Sequence, residues 1–265
     1  MEPVLTKNVP VAGVDPLKRT KVIYAFVIIE FTLMVLLVFA EPTLKRLAAG
    51  EWSRGRFLFF PTLSLDVHGL VSFSYLFLML GQMMLGFLHG RSTTLRRWHQ
   101  RLGRFLYFGL IPVFFLAGIW VSADRALNIP TERAVVFKVD PGASLGGLVV
   151  LVLVCLAALI RSYRAIKKRD VRTHMDAIFA TFAMASAVAI IRFVYLLFWL
   201  TRGGSPFSIM GSYAITMVVI FTHMLLAYHL AGRLKENARA VGMYLLVFIV
   251  YFVAAMPYYT IWDVG

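Results

Sequence analysis

Two histidines stand inside a stretch of the chain that is otherwise apolar. The segment FTHMLLAYHL, residues 221–230, contains His223 and His229. A separation of six residues on a helix rotates the side chains by about 240° and moves them about 9 Å apart along the axis. The two imidazoles therefore point to different faces and cannot bind one ion together. Each needs partners on another helix.

The composition of the chain places these histidines in a membrane. Of the 265 residues, 60% are hydrophobic and 15% are charged, and the mean hydropathy is +0.78. A water-soluble domain of this length cannot bury so much apolar surface. Crossing a bilayer takes a helix of about 20 apolar residues. Seven such windows are predicted as spans, at residues 22–40, 67–89, 105–123, 144–160, 174–200, 211–232 and 241–262.

We predict an all-α fold with seven transmembrane helices in a single membrane domain over residues 1–265. Residues 1–21 form a cytoplasmic N-terminal segment and 22–262 the bundle. Lys and Arg concentrate in the segments on the N-terminal side of the membrane, which predicts an N-in, C-out orientation in the inner (plasma) membrane. The bilayer and other membrane subunits are the candidate partners.

Basic residues cluster in two segments that are predicted to be short inner loops. These are RRWHQRLGR, residues 96–104, and RSYRAIKKRD, residues 161–170. Such loops act as topological anchors and meet anionic lipid head groups. The net charge of +14 is therefore a signal of orientation, and no nucleic-acid partner is predicted.

Depth along the predicted helices places two ionisable residues near the midplane. Glu30 and His223 each lie about nine residues from the inner end of their span, so they can share a level. A carboxylate at this depth destabilises the protein by several kcal/mol unless it is protonated or paired. We predict a proton relay formed by Glu30 and His223, with Gln82 as a further polar member. The structural alternative is that each side chain only hydrogen-bonds a neighbouring helix.

Four histidines lie within about one turn of the predicted inner boundary: His89, His99, His174 and His229. Haem iron needs one or two imidazoles from facing helices at one depth, often with cations near the propionates. His99, His174 and His229 are predicted to bind a b-type haem. The arginines that flank them are Arg101, Arg104, Arg172 and Arg233.

The same three histidines are the candidate metal ligands of the chain. With Asp176 they would complete a tetrahedral zinc site. However, there is no His-x-x-x-His pair, and Asp176 points about 200° away from His174 on an ideal helix. Zinc is therefore disfavoured against haem. The single cysteine, Cys155, lies inside the fourth span and allows no intrachain disulfide.

A smaller polar site is predicted at the outer side of the membrane. His68 opens the second span, and Arg192 reaches a similar depth in the fifth. Together they are predicted to hydrogen-bond a quinone carbonyl. The structural alternative is that Arg192 extends towards the head groups or pairs with Asp66.

Two long stretches of the chain, residues 65–108 and 160–198, resemble a widespread family of uncharacterised, predicted bacterial integral membrane proteins. The pattern is a histidine opening one span, an Arg and a His-x-x-x-Gly-Arg block, then a His followed by Met and a later arginine. The matching residues are His68, Arg91, His99, Gly103, Arg104, His174, Met175 and Arg192. The usual His-Arg pairs read His99-Gln100 and His174-Met175 here. The resemblance covers about half of the chain and implies a multispanning bundle without an established reaction.

A looser resemblance concerns residues 173–195 and the following span. They are similar to segments of small haem-copper-oxidase assembly proteins, and the general plan is similar to membrane b-type cytochromes. Three function classes follow: a redox protein that binds haem or quinone, an accessory or assembly subunit of a respiratory complex without its own cofactor, and a proton-coupled transporter that uses Glu30 and His223. No catalytic residue is assigned.

Overall fold

The computed structural model describes residues 16–48, 63–88, 92–128, 141–187, 190–191, 193–194 and 209–260. Within these ranges the chain is helical and has no strand, which confirms the predicted all-α class. The helices are α1 Pro16–Ala48, α2 Leu63–Leu88, α3 Thr93–Phe105, α4 Ile111–Asn128, α5 Pro141–Lys167, α6 Val171–Ala185, α7 Ile209–Leu230 and α8 Leu234–Thr260. A π-helical turn, Leu106–Leu110, joins α3 to α4 without a break, so these elements make seven helical segments.

Length and composition identify a membrane protein. Five of the described segments are long and apolar enough to cross a bilayer, at Leu17–Leu37, Val67–Leu88, Thr93–Asp124, Gly146–Lys167 and Leu234–Ala255. Helix α7 carries a shorter apolar stretch, Ala214–Leu230. Large apolar side chains on the bundle surface are well exposed, as contact with lipid requires; Phe26 is 70% and Val218 65% exposed. The orientation and the kind of membrane stay predictions.

Helix α6 lies at the centre of the bundle. Six of the other described helices form a closed ring in which each packs against the next, in the order α1, α2, α4, α5, α8, α7 and back to α1. Helix α6 packs against α1, α5 and α7. Its residues Ala177, Ala180, Phe182 and Ala183 are entirely buried. Small side chains let neighbouring backbones approach closely, and a helix that is apolar nearly all round is stable only inside a bundle.

The two basic segments predicted as inner loops are largely helical, so that prediction was wrong. Residues 96–104 belong to α3, which begins where Ser92 Oγ accepts a hydrogen bond from the Thr94 N–H at 3.1 Å. Residues 161–167 continue α5. The prediction limited each helix to its run of apolar residues. A helix continues beyond the apolar core when one of its faces still packs, as Leu102 of α3 does against the core.

A three-residue turn, 168–170, reverses the chain between α5 and α6. Arg169 adopts a left-handed conformation with φ of 59°. The Asp170 N–H donates to the Ala165 carbonyl at 2.9 Å and the Arg169 N–H to the Ile166 carbonyl at 3.0 Å, which caps α5 in a Schellman motif. Asp170 then caps α6 by accepting the Thr173 N–H at 3.0 Å. That hydrogen bond lowers the pKa of Asp170.

Asp170→Ala is expected to lower the free energy of unfolding by about 1 kcal/mol, because the Thr173 N–H loses its acceptor. Asp170→Asn keeps a capping oxygen and is expected to resemble the wild type. Since folding lowers the pKa of Asp170, the ionised cap stabilises the protein above the unfolded value of about 3.9, and this contribution is lost as the pH falls through the folded value. Thermal unfolding in detergent measures these effects, and equal losses in both variants would contradict the capping role.

Candidate functional site

Polar side chains meet around His174 at the end of the bundle that carries α3 and the α5–α6 turn. We name this the inner end, after the predicted orientation. The Nδ1 atom of His174 lies 2.8 Å from Ser162 Oγ and 3.4 Å from the Tyr107 hydroxyl. Its ring stacks on Tyr107 with centroids 6.2 Å apart and an interplanar angle of 20°. Ser162 is fully buried and also contacts the Tyr107 hydroxyl. Three segments of the chain thus hold one imidazole.

The π-helical turn Leu106–Leu110 positions Tyr107. A π turn accommodates one more residue than an α-helical turn and so changes which residues face the bundle interior. Leu106 and Leu110 remain buried, as an inward-facing pair. Isolated π turns occur frequently at functional sites. This one brings Tyr107 to Ser162 and His174.

His99 lies on α3 and is held against α2 by two hydrogen bonds with Gln82. The His99 Nδ1 lies 3.3 Å from the Gln82 carbonyl oxygen, and Gln82 Nε2 donates to the His99 carbonyl oxygen at 3.0 Å. Gly103 makes room for this arrangement, since a Cβ there would lie 2.8 Å from Gln82 Nε2. Gln82 therefore pairs with His99 and not with the midplane residues. His99 and His174 are close enough to interact electrostatically.

His229 takes no part in this arrangement. It is exposed on the last turn of α7, where its carbonyl accepts the Gly232 N–H at 2.9 Å. The described ranges contain no group of three or more His, Cys, Asp or Glu side chains that could hold a metal ion. The structure thus places His99 and His174 at the same end of the bundle, and within the described ranges it does not gather the three histidines into a metal group. Their roles as haem or metal ligands stay predictions.

On the opposite side of α6 from His174, a fully buried carboxylate accepts four side-chain hydrogen bonds. The Tyr24 hydroxyl donates to Asp176 Oδ1 at 2.6 Å. Arg233 donates to Oδ2 through Nε at 3.0 Å and Nη2 at 2.7 Å. Asn237 Nδ2 donates to the same oxygen at 2.8 Å. We call Asp176, Tyr24, Arg233 and Asn237 the inner ion-pair network; it links α1, α6, the α7–α8 turn and α8.

The turn between α7 and α8 delivers Arg233 to this network. Gly232 has φ of 69°, and the Arg233 N–H donates to the Tyr228 carbonyl at 2.7 Å, closing a Schellman motif that favours glycine. Burial lowers the pKa of Arg233, but hydrogen bonding to Asp176 and its negative charge outweigh burial and raise that pKa. Arg161 extends the network by donating to Asn237 Oδ1 at 2.8 Å.

Sequence reasoning missed the inner ion-pair network. It considered Asp176 only as an unfavourable zinc ligand and Arg233 only as a cation near haem. A signal was present, because an aspartate on a helix that is apolar on its other faces needs a cation from a neighbour. Which of several inner arginines supplies the cation depends on the Gly232 turn, and spacing along the chain does not reveal it.

A cavity of about 80 Å³ lies nearer the outer end of the bundle, bordered by α1, α2, α4, α5 and residues 182–186. His68, Ser72 and Tyr75 of α2 line it together with Phe114. The Phe114 ring stacks on Tyr75 at 4.7 Å and 15°, and on His68 at 6.0 Å and 23°. The Tyr75 hydroxyl is buried and has no hydrogen-bond partner within the described residues.

The predicted outer site is thus described in part. His68 forms part of the cavity wall, and Ser72 Oγ donates to the His68 carbonyl oxygen at 2.6 Å. Arg192 lies outside the described residues, as does His89 at the inner side. The pairing of His68 with Arg192 around a ligand stays a prediction.

The two midplane residues are in contact. His223 Nε2 lies 3.4 Å from Glu30 Oε1, across the boundary between α1 and α7. This is the contact that their common depth predicted. Their role as a proton relay stays a prediction.

No protein-family model, curated protein or solved structure matches this chain. The family resemblance therefore stays a prediction.

Arg233→Ala is expected to lower the free energy of unfolding by about 3–5 kcal/mol, because it leaves the buried carboxylate of Asp176 without its cation. Arg239→Ala, on an exposed position of α8, is the matched control and is expected to change stability by less than about 0.5 kcal/mol. Thermal unfolding of both variants in detergent tests this. Indistinguishable curves for the two variants would show that the network does not stabilise the bundle.

Proposed function

We propose that this protein is a membrane redox protein that binds the head group of a lipid-soluble quinone in the cavity beside Tyr75. The cavity has the usual character of a small-molecule site, with mostly apolar walls and a few placed polar groups. Its aromatic wall favours a planar ligand, because the rings of His68, Phe114 and Tyr75 lie nearly parallel.

The Tyr75 hydroxyl is the observation that carries this proposal. Buried polar atoms nearly always have a hydrogen-bond partner, and an unpaired one destabilises a protein by about 1–3 kcal/mol. Stacking on Phe114 and Phe182 restricts the Tyr75 ring. A quinone carbonyl in the cavity would supply the acceptor that the described residues do not. His68 lies seven residues earlier on the same face of α2 and is the candidate partner for the opposite carbonyl.

The size of the cavity limits what it can hold. At about 80 Å³ it has about half the volume of an engineered apolar cavity of about 150 Å³ that binds benzene. A single ring therefore enters only if the lining side chains move slightly outwards. A haem macrocycle is far larger and does not fit this cavity.

Tyr75→Phe is expected to weaken quinone binding about three- to tenfold, the value of one hydrogen bond. The ligand-free variant is expected to be as stable as the wild type or more stable, because the removed hydroxyl has no partner to lose. Quenching of tryptophan fluorescence by ubiquinone-1 in lipid nanodiscs measures binding, and thermal unfolding measures stability. Tyr163→Phe, on an exposed position of α5, is the matched control.

Two substitutions at Gly118 complete the test of the cavity. A Cβ at Gly118 would lie 3.6 Å from Leu148 Cδ2 and 3.7 Å from His68 Cε1, which is ordinary contact. Gly118→Ala should therefore bind quinone as the wild type does, whereas Gly118→Leu fills the cavity and should abolish binding. Undiminished quenching in both Gly118→Leu and Tyr75→Phe would rule out this cavity as the site.

The inner end supports a second proposal, one b-type haem held by His99 and His174. Each imidazole has its Nδ1 atom engaged, by Gln82 and Ser162 respectively. Such an interaction orients a histidine that binds a metal through Nε2. Arg101 and Arg104 are exposed on α3 and suit the propionates. Arg233, predicted to share this task, is committed to Asp176.

Protein purified from cells supplied with haem is expected to show a Soret band and reduced α and β bands. The His174→Ala variant should lose these bands, because one axial imidazole is absent. His229→Ala is the matched control and should keep them, since His229 is exposed and apart. A featureless spectrum from folded wild-type protein would contradict haem binding and leave the quinone proposal untouched.

The two other function classes stay proposals with simple discriminating observations. An accessory subunit would copurify with a larger membrane complex and carry no cofactor of its own. A proton-coupled transporter would depend on Glu30 and His223 and would show pH-dependent uptake that is lost in Glu30→Gln. These two side chains are in contact and partly exposed at the boundary between α1 and α7.

A further inference from the structure

Glu30 and His223 lie on the lateral surface of the bundle, at the seam between α1 and α7. Their side chains are 32% and 29% exposed. On α1, Phe26 and Leu33 beside Glu30 are 70% and 55% exposed, and on α7 Leu226 is 52% exposed. The pair is thus surrounded by the apolar side chains that face lipid. Its exposed part opens towards the membrane.

The inward side of the pair is closed. Phe31 is fully buried, and its ring lies 5.5 Å from the His223 ring. Ile220 and Met224 of α7 are also fully buried. Apolar side chains offer no partner for a proton, so these three residues give the pair no polar contact on its inward side. This position argues against a relay through the bundle interior.

Hydrogen bonding limits the pair to one shared proton. His223 Nδ1 lies 2.7 Å from the Val219 carbonyl oxygen. Because a carbonyl only accepts, Nδ1 carries a hydrogen and donates it. Nε2 then faces Glu30 Oε1 at 3.4 Å. The overall neutral states, favoured in a medium of low polarity, are a protonated acid beside a neutral imidazole and a carboxylate beside an imidazolium.

Other ionisable groups lie well away from the pair along the helices. On α1, α6 and α7, those with described side chains are Lys18, Arg19, Lys21, Tyr24, Arg172, His174, Asp176, Tyr228 and His229. The nearest along the chain on α1 is Tyr24 and on α7 is Tyr228, five or six residues towards the inner end, or about 8–9 Å of helix. Asp176 is committed to Arg233. Among the described ionisable groups of α1, α6 and α7, the ion-pair partner of Glu30 is thus His223.

We propose that Glu30 and His223 form a proton-exchange site that serves weak acids and bases dissolved in the membrane and arriving laterally at the α1–α7 seam. A base takes the shared proton and leaves the Glu30 carboxylate beside neutral His223. An acid returns the proton and departs as its anion. This inference is independent of quinone binding in the cavity, since the two sites share no residue.

A pair of carbodiimides tests both the proton and the direction of access. A carboxylic acid O–H adds across a C=N bond of the reagent, and the acyl group then migrates to nitrogen, so no atom is lost. In lipid, where water supplies no proton to the reagent, only the protonated acid reacts, whereas an acid exposed to water also reacts as its carboxylate with the protonated reagent. Wild-type protein in lipid nanodiscs at neutral pH is treated with lipid-soluble dicyclohexylcarbodiimide or with a water-soluble carbodiimide. Peptide mass spectrometry measures the modified fraction of Glu30. Glu236, an exposed acid at the inner surface, is the internal control for water access.

The lipid-soluble reagent is expected to modify Glu30, and the water-soluble reagent only Glu236. In His223→Gln, modification of Glu30 is expected to rise roughly threefold or more, because the acid no longer shares its proton with an imidazole. His229→Gln, on the same helix, is the matched control and should leave it unchanged.

Three results would overturn the proposal. Equal modification of Glu30 by both reagents would show that the site opens to water. Unmodified Glu30 in both wild type and His223→Gln would show that it holds no proton accessible from lipid. Unchanged modification in folded His223→Gln would show that the proton is not shared. The reagent comparison uses the wild type and stands even if this variant does not fold, and none of these results bears on quinone quenching.

Discussion

The bond between Asp176 and Arg233 is the interaction on which the inner end of the bundle depends. A carboxylate that is fully buried is tolerable only with a cation and with its remaining lone pairs satisfied. Arg233 supplies two hydrogen bonds, and Tyr24 and Asn237 supply one each. Tyr24 also stacks on Phe179, one turn further along α6, with centroids 4.3 Å apart. Polar and aromatic contacts thus tie α1, α6 and α8 at one level.

This ion pair also constrains the rotation of α6 about its axis. Residue 176 lies about 200° from residue 174 on an ideal helix. With Asp176 directed at Arg233, His174 faces Ser162 and Tyr107, while Phe182 and Ser186 line the cavity. A single rotational setting of the central helix therefore positions both the residues around His174 and the wall of the cavity beside Tyr75.

The polar sites differ in how completely their hydrogen-bonding groups are satisfied, and this difference separates the ion pair that stabilises the fold from the sites proposed to be functional. Asp176 has a partner for each oxygen, as expected of a group that stabilises the fold. Glu30 and His223 share one contact and keep an exposed part. The Tyr75 hydroxyl has no partner within the described residues. Incomplete satisfaction in a buried position is where a ligand contributes most, because it removes an existing penalty.

Hydropathy and helical rise were sufficient to predict the membrane class and the seven helical segments, since these depend on position along one helix. The contact of Glu30 with His223 follows from their common depth. Depth carries no information about rotation around the axis or about which helices are neighbours. The central place of α6, the Asp176–Arg233 pair and the cavity beside Tyr75 depend on which helix faces bury one another. Only the packed bundle decides this. Each apolar helix could bury a similar apolar area in many rotations about its axis, and the ion pair at the Gly232 turn and the π turn at Tyr107 select one of them.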